Sequence, residues 1–335
     1  MSVRLTAKRG SDGVAGQGAA ESDIHQGNWY VLVMGLPRPK QPLTLAPGLA
    51  LVPLDSPLSV FDLAAAGAVG FREWAMLEPV SRLCTCEIET AKDSDVVPGY
   101  DTLNRAWLAS ALLVLRGFSR HLGIACNSYS WSLIAGHQKR GAQAFQEQVA
   151  DEGVDAAIYR PKHDLSPFKG NILDFHARFL VDRDARTDPV SSGDAAWIAT
   201  HFKTFNRLAS KSEPFRLALE AAIDWRYAKE PRLAVGRIWS GIEAVFGVTS
   251  ELIYRISILC ASLLEERGEP RKARFQAVKR LYGLRSKAVH GEPLPQEQLV
   301  SAMNDSHRLL RELLLLTIER GHVLGADDFD EALFG

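Results

Sequence analysis

The sequence has few cysteines and no long apolar run, and each shortage excludes a class of protein. Only four of the 335 residues are cysteines, and Cys84 and Cys86 are the only two that lie close together. Their C-x-C spacing is no zinc ligand set, and in a β-strand it predicts two side chains on one face. No stretch is apolar for long enough to span a bilayer, and the N-terminus has no secretory leader pattern. We therefore expect a cytoplasmic protein with reduced thiols, no membrane contact, no metal and no cofactor.

An excess of charge of one sign is also lacking. The 39 Lys and Arg residues are balanced by 40 Asp and Glu residues, which leaves a formal net charge of -1. A nearly neutral chain has no overall field that attracts nucleic acid or membrane, so any anion-binding surface must arise from a local cluster of basic residues. The motifs G-x-x-x-x-G-K-[ST], G-x-S-x-G and H-E-x-x-H are absent as well, which gives no support to the enzyme classes that they mark.

The pattern along the first half predicts an α+β domain. Residues 1–25, rich in Gly, Ala and Ser, resemble a disordered leader. Residues 26–182 mix short β-like runs with helical stretches, and no motif in them indicates a ligand. The predicted strands are NWYVLVMGL, LTLAPGLALVPL, SRLCTCEIET and SYSWSLIAGH, and the predicted helices are VFDLAAAGAVGFREW, DTLNRAWLASALLVLRG and NILDFHARFLVDR. Residues 183–195 are dense in Asp, Ser, Gly and Pro, which predicts a linker.

Residues 196–335 have the apolar spacing of helices throughout, which predicts an all-α bundle. The predicted helices are AAWIATHFKTFNRLAS, EPFRLALEAAIDWRYAK, PRLAVGRIWSGIEAVFG, SELIYRISILCASLLEER, PRKARFQAVKRLYGLRSKAVH and QEQLVSAMNDSHRLLRELLLLTIERG. Pro231 and Pro270 stand where a first-turn proline is tolerated, and Gly247 and Gly291 are placed to end helices.

A positive segment occupies residues 267–287 of this helical part and contains a single acidic residue, Glu269. Its basic residues are Arg267, Arg271, Lys272, Arg274, Lys279, Arg280, Arg285 and Lys287. Such a segment is either a solvated helix face or a surface that follows a phosphate backbone. Under the second interpretation, we expect single-stranded RNA to bind, and Arg274, Lys279 and Arg280 are the candidate contacts.

Two motifs in the helical part resemble a known family. GRIWSGIEAVFG, residues 236–247, is followed by LYGLRSKAVHG, residues 281–291. Together they resemble the HEPN (higher eukaryotes and prokaryotes nucleotide-binding) domain, and within it the Apea-like branch. The residues that carry the resemblance are Trp239, Glu243, Tyr282, Arg285, Ser286, Val289, His290 and Gly291. The resemblance covers about residues 195–321 and leaves the first half of the chain unexplained.

The resemblance implies a HEPN-like helical bundle with metal-independent endoribonuclease activity. Members of the family often act as toxins or antiviral defence effectors, and their R-x4-6-H motifs meet across a homodimer. The implied catalytic residues are Arg285 and His290. The implied supporting residues are Glu243, Tyr282, Ser286 and Lys287.

The residue types suit that chemistry. An imidazole, with a reference pKa of about 6.5, can take a proton from a ribose 2′-hydroxyl or give one to the leaving 5′-oxygen. The guanidinium of Arg285 keeps its charge, so it suits holding the phosphate and stabilising the charge of the transition state. Ser286 and Lys287 lie between Arg285 and His290 and could add phosphate contacts, although an exposed turn would have the same sequence.

Helix geometry gives a reason to expect two copies of the motif in one site. Five residues of a continuous α-helix correspond to about 140° of rotation and about 7.5 Å of rise, so Arg285 and His290 would not share a face. Either the helix unwinds near Gly291, or a second copy of the chain supplies the other half of the site. We therefore expect a homodimer through the C-terminal domain.

The motif residues also have structural interpretations. His290, just before Gly-Glu-Pro, stands where a residue that caps the C-terminus of a helix is expected. Glu243 is either a boundary position of an amphipathic helix or a buried carboxylate that orients Arg285. Trp239 and Tyr282 are expected to be packing residues.

The function has alternatives too. HEPN-fold domains also serve as non-catalytic nucleotide-binding, RNA-binding or interaction modules. A third interpretation is an antitoxin-like or scaffold protein whose positive segment is covered by another chain. The Arg-x4-His spacing recurs at Arg116 and His121, but without the Glu helix, the Ser and the trailing Gly, and we interpret that pair as a coincidence.

Overall fold

The computed structural model describes residues 28–59, 62, 76–91, 102–127, 130–135, 170–172, 180–247 and 251–335. Within these residues, a six-stranded sheet occupies the first half, and the second half is helical. No helix in the described ranges is both long and apolar enough to cross a membrane. The predicted leader and most of the two predicted helices at VFDLAAAGAVGFREW and NILDFHARFLVDR lie outside these ranges.

Neighbouring strands of the sheet are antiparallel, in the order β2-β3-β4-β1-β5-β6. The strands are β1 (Trp29–Met34), β2 (Leu43–Ala46), β3 (Leu49–Pro53), β4 (Cys84–Thr90), β5 (Leu122–Asn127) and β6 (Gly170–Ile172). A two-residue turn joins β2 to β3, and its Gly48 has φ of 63°. Pro47 and Gly48 are the central residues of this turn, a sequence typical of type II, in which the second residue has positive φ that glycine adopts without strain.

The helices of the second half agree with the predicted segments. Within the described residues, the α-helices are α1 (Thr102–Leu115), α2 (Trp131–Ile134), α3 (Ser192–Lys211), α4 (Glu213–Asp224), α5 (Pro231–Phe246), α6 (Leu252–Leu264), α7 (Glu269–Val289), α8 (Gln296–Arg320) and α9 (Ala326–Phe334). Pro231 and Pro270 stand in first turns, and Gly247 ends α5 with φ of 60°. The helix α9 was not predicted.

Cys84 and Cys86 do not share a face of β4, so that prediction is wrong. The pairing of β1 with β4 slips between Val33 and Met34, which leaves Thr85 as an extra residue. A bulge of this kind breaks the alternation of side chains. Cys86 therefore joins the larger hydrophobic cluster and Cys84 the smaller one on the opposite face. Burial raises the pKa of both thiols to about 12.

The run SYSWSLIAGH, predicted as a strand, contains the single helical turn α2. The carboxylate of Glu87 on β4 accepts hydrogen bonds from Ser130 Oγ and from the backbone N–H of Trp131, both at 2.6 Å. This capping group comes from a distant strand, so the local sequence does not reveal it. Burial raises the pKa of Glu87 to about 7.

One hydrophobic core runs from the sheet into the C-terminal helices. The sheet face that includes Val33 and Leu51 packs with α1 against the helical part in a single cluster. The opposite face packs against Leu77 and Trp131 in a smaller cluster. The two predicted domains are therefore joined through shared apolar contacts.

Four residues of the predicted linker, residues 183–195, are buried, and two of them, Val190 and Ala195, join this core. Ser191 and Asp194 form a capping box that begins α3 at Ser192, and Asp194 is buried. The carboxylate of Asp194 also pairs with Arg116, the residue after α1, at 3.0 Å and with Arg186 at 2.8 Å. The composition resembles a linker because the same residue types, Ser and Asp, also cap helices.

A buried polar pair attaches the beginning of this segment to α8. Oδ2 of Asp182 lies 3.0 Å from Nδ1 of His307 and accepts a hydrogen bond from Ser119 Oγ at 3.0 Å. The other ring nitrogen of His307 lies 3.1 Å from the carbonyl oxygen of Ala222. Burial raises the pKa of Asp182, but His307 and the hydrogen bonds from Asp184 and Ser119 together outweigh it, and the pKa is about 2. Burial lowers the pKa of His307, and Asp182 opposes that shift.

The helix α5 is central to the bundle, because it packs against α4, α7 and α8. Gly241 permits the close approach to α4, since a Cβ atom there would lie 2.7 Å from Cβ of Ala221. Toward α8, Nε1 of the fully buried Trp239 donates to Ser306 Oγ at 2.9 Å. These contacts fix the face of α5 that meets α7.

Candidate active site

The tryptophan and glutamate of the first motif meet the tyrosine and arginine of the second. The ring of Tyr282 on α7 packs edge-on against Trp239 of α5, with centroids 5.2 Å apart. One turn further along α7, Arg285 Nη2 donates to Glu243 Oε1 at 2.8 Å. The structure thus places Trp239, Glu243, Tyr282 and Arg285, four residues that carry the resemblance, in contact with one another across α5 and α7. Trp239 and Tyr282 pack together, as expected.

Glu243 accepts a hydrogen bond from Arg285 and lies at a boundary position of α5, so it has a feature of each of the two interpretations considered for it. The side chains of Arg285 and Glu243 are 21% and 25% exposed, so the pair lies at the edge of the core. The guanidinium carbon also lies 5.4 Å from the ring centre of Tyr282, within the range of a cation–π contact. The Nε–H of Arg285 is buried and has no acceptor among the described residues. The guanidinium is therefore held on one side and still has an unused donor.

His290 is exposed and lies at the end of the same helix. The helix continues to Val289, and the backbone N–H of His290 still donates to the carbonyl of Ser286 at 3.0 Å. The helix does not unwind before His290, so Arg285 faces α5 while His290 lies on the outside. A single chain therefore does not bring the two side chains into one compact site, as the helical geometry predicted.

The turn after His290 is closed by glycine. Gly291 has φ of 76°, and its N–H points to the carbonyl of Ala288. The N–H of Glu292 donates to the carbonyl of Lys287 at 2.9 Å. This pair of bonds is the Schellman motif, which requires a left-handed residue such as glycine at its centre. The backbone position of His290 is therefore defined by this motif.

Arg232, which sequence reasoning missed, reinforces that turn from α5. Its guanidinium donates to the carbonyls of Ala288 at 2.8 Å, Lys287 at 3.2 Å and Glu292 at 3.0 Å. A positive group at the C-terminus of a helix also complements the helix dipole. No local pattern links Arg232 to residues 287–292, because only the packing of α5 on α7 brings them together.

The positive segment divides into two groups. Arg274 pairs with Glu265 at 2.9 Å and with Glu312 at 3.0 Å, so it links α7 to the end of α6 and to α8. Arg271 donates to the carbonyls of Glu265 and Ala332. These two arginines link helices of the bundle, and the prediction that Arg274 contacts RNA stays a prediction.

The second group is free to contact a ligand. Lys279, Arg280 and Lys287 are exposed, and Ser286 beside them is half-buried. Residues 270–291 contain no acidic residue, and Glu269, the acidic residue that begins α7, pairs with Lys272 at 3.4 Å and not with these three side chains.

The second Arg-x4-His pair has structural roles. Arg116 pairs with Asp194, and its guanidinium lies over the ring of Trp197. His121 is fully buried, and its Nε2 lies 2.7 Å from Ser110 Oγ. Burial lowers the pKa of His121 to about 3. This pair is therefore part of the packing between the sheet and the helices.

The chain matches no known protein family, curated protein or solved structure. The resemblance to the HEPN domain rests on the residues of the two motifs and stays a hypothesis.

Proposed function

We propose that the protein is a metal-independent endoribonuclease of the HEPN type that works as a homodimer. The observation that carries the proposal is the arrangement of the second motif. Glu243 holds the partly exposed Arg285, and five residues later His290 is exposed at a helix end that Gly291 and Arg232 fix in place. A fixed cation and an exposed imidazole are the groups that cleavage through a ribose 2′-hydroxyl requires.

In the proposed reaction, His290 of one protomer takes the proton of the 2′-hydroxyl, whose oxygen then attacks the phosphorus. The bond from phosphorus to the 5′-oxygen breaks, and His290 of the partner subunit gives that oxygen a proton. The products are a 2′,3′-cyclic phosphate and a free 5′-hydroxyl. Arg285 stabilises the negative charge that builds up on the phosphate oxygens.

The dimer is proposed because Arg285 and His290 lie on different sides of α7. Two exposed apolar side chains beside His290 support a contact there. Leu233 is 54% exposed and Val289 is 49% exposed, and Val289 packs next to Gly236, one turn from Leu233 on α5. A two-fold contact through this surface would place both motifs near one axis.

Light scattering and cleavage test the dimer together. Leu233→Asp should give a monomer that no longer cleaves RNA, while the matched variant Leu217→Asp, at a 44% exposed site on α4, should stay dimeric and active. Wild-type protein that is monomeric at micromolar concentration would contradict the proposal.

Cleavage of a labelled single-stranded RNA tests the chemistry. His290→Ala and Arg285→Ala should each lower the rate on the order of 10²-fold or more, because each removes one catalytic group. The control His322→Ala replaces an exposed histidine of the same half and should cleave at the wild-type rate. Cleavage should persist in EDTA and should spare DNA, which lacks the 2′-hydroxyl. A folded His290→Ala protein with the wild-type rate would refute the proposal.

A non-catalytic RNA-binding module is the second candidate, and the Glu243–Arg285 ion pair favours it. A guanidinium that is already paired at 2.8 Å has less free charge to offer a transition state. Under this alternative, RNA binds in a salt-dependent way but is not cleaved. Reversing Lys279 and Arg280 to Glu should weaken binding under both proposals, and Lys203→Glu on α3 is the matched control.

A further inference from the structure

Gly283 lies inside the long helix α7, where glycine is unfavourable. Glycine destabilises the interior of a helix relative to alanine, because it loses more backbone freedom on folding. Packing does not explain it, since no described atom lies within 4 Å of the position that a Cβ would occupy. Gly241 offers the contrast, because a Cβ there would collide with α4. The open space over Gly283 suits the close approach of an external group to the helix backbone.

Gly283 is half-buried and lies on the positive face of α7, between exposed basic side chains. At 100° per residue, it is rotated by about 40° from Lys279 and from Lys287, and by about 20° from His290. Lys279, Lys287 and His290 are all exposed. Along this face, Lys279 and Lys287 therefore flank Gly283, which has no side chain, and His290, the proposed catalytic histidine, follows at the end of the helix.

An aromatic side chain stands at the far end of this face. Tyr254 of α6 is 58% exposed, and its ring packs edge-on against Phe275 of α7 with centroids 5.8 Å apart. Phe275 precedes Lys279 by one helical turn, so Tyr254 is held next to the positive face. Phe275 covers only part of the ring, and the exposed remainder of Tyr254 is available for stacking.

We propose that this face of α7 binds single-stranded RNA and leads it to His290. A base stacks on Tyr254, Lys279 and Lys287 contact phosphates, and the strand passes closest to the helix at Gly283. The distance from Phe275 to His290 is about 22 Å along the helix, which suits a short single-strand site of about four nucleotides. This proposal rests on the proposed function for its ligand.

Single-stranded RNA fits better than a duplex because the surface combines an exposed aromatic ring with charges spaced along one line. Each base has a face that stacks on an aromatic ring, and no particular sequence is needed. The absence of acidic residues from 270 to 291 removes a source of repulsion toward the phosphates.

Binding of a fluorescent, 2′-O-methylated oligouridine to the full chain tests the proposal, because this probe has no free 2′-hydroxyl and is not cleaved. Tyr254→Ala should raise the Kd about 10-fold, as expected for the loss of one stacked base. Tyr254→Phe keeps the ring and should bind like wild type. Phe334→Ala, at an exposed aromatic in α9, is the matched control.

Gly283→Ala provides the sharper measurement. The added methyl group should weaken binding of the probe several-fold, and the same variant should melt at a higher temperature than wild type because alanine favours the helix. A loss of binding in a more stable protein cannot be attributed to unfolding. Gly193→Ala, at an exposed position in α3, should leave binding unchanged.

The outcomes separate this proposal from the proposed function. If the probe binds in a way that depends on Tyr254 and Gly283 but RNA is not cleaved, the proposed RNA-binding face is supported and the proposed nuclease activity is refuted. If RNA is cleaved and both alanine variants bind the probe like wild type, the proposed RNA-binding face is wrong and the nuclease activity is supported. If Gly283→Ala dissociates the dimer in light scattering, Gly283 is a subunit contact, and the proposed RNA-binding face is likewise wrong.

Discussion

Replacing His307 with Ala should destabilise the whole protein and expose residues 183–191. His307 and Asp182 are both almost fully buried, with side-chain exposures of 1% and 2%. Without the imidazole, the carboxylate of Asp182 keeps only its hydrogen bonds from Ser119 Oγ and the backbone of Asp184. The carbonyl of Ala222 also loses its partner. Removing the donor of a hydrogen bond to a buried carboxylate costs about 3 kcal/mol, because the charged oxygen loses its partner and the missing ring leaves a cavity.

The effect should be measured by urea unfolding and by thermal melting. For a chain of 335 residues, a loss of about 3 kcal/mol corresponds to a decrease in Tm of roughly 4 °C. The matched control is Arg308→Ala on the same helix, whose ion pairs with Asp184 and Asp305 are about half exposed. Exposed pairs contribute about 0–1 kcal/mol, so this variant should unfold close to wild type.

The pH dependence gives an independent check. Folding lowers the pKa of Asp182 from its ordinary value of 3.8 to about 2. An acid with a lowered pKa stabilises the folded state above its ordinary pKa, and this stabilisation is lost as the pH falls through about 2. Because His307 contributes to that shift, His307→Ala should unfold at a higher pH than wild type during acid titration.

Limited trypsin digestion shows whether the segment has been released. Cleavage after Arg183 or Arg186 should be slow in wild type and fast in His307→Ala. The reasoning is refuted if His307→Ala unfolds within about 1 kcal/mol of wild type. It is also refuted if wild-type protein is cut rapidly at these arginines, because residues 183–195 would then behave as a free linker.

Three further predictions concern single residues. Burial raises the pKa of Glu87 from 4.5 to about 7, so between these two values folding takes up a proton, and the free energy of unfolding of wild type should fall as the pH rises. The stability of Glu87→Gln relative to wild type should therefore increase by more than about 1 kcal/mol between about pH 5 and pH 8. A stability difference in urea unfolding that does not change with pH would count against this prediction. Gly241→Ala should lose about 1–3 kcal/mol in the same assay, because the new methyl group would lie 2.7 Å from Cβ of Ala221. Arg232→Ala should speed amide hydrogen exchange at residues 290–292 about 10-fold, because charged hydrogen bonds to the end of α7 are lost. If the exchange rates do not change, the turn at Gly291 is stable without Arg232.

The C-terminal helices could be predicted from the sequence because their signals are local. Apolar spacing indicated the six helices from α3 to α8, and first-turn prolines at Pro231 and Pro270 marked two beginnings. Gly247 and Gly291 marked two ends, since both adopt positive φ. The angle between Arg285 and His290 also followed from helical periodicity, which needs no tertiary contact.

Other features depended on partners that are distant in the sequence. The turn at Trp131 is capped by the local Ser130 and also by a carboxylate from β4, and Cys84 and Cys86 separate because β4 bulges against β1. Arg274 resembles its exposed neighbours in sequence, but packing places it between two glutamates.

The sequence by itself determined which residue types could form the candidate site and that one helix could not bring them together. The tertiary structure decided which of them are available. Packing of α5 on α7 pairs Arg285 with Glu243 and puts Arg232 at the end of the second motif. It also leaves Gly283 open on the positive face. The physical reason is that periodicity fixes directions within one helix, whereas the neighbours that each side chain meets depend on contacts between helices.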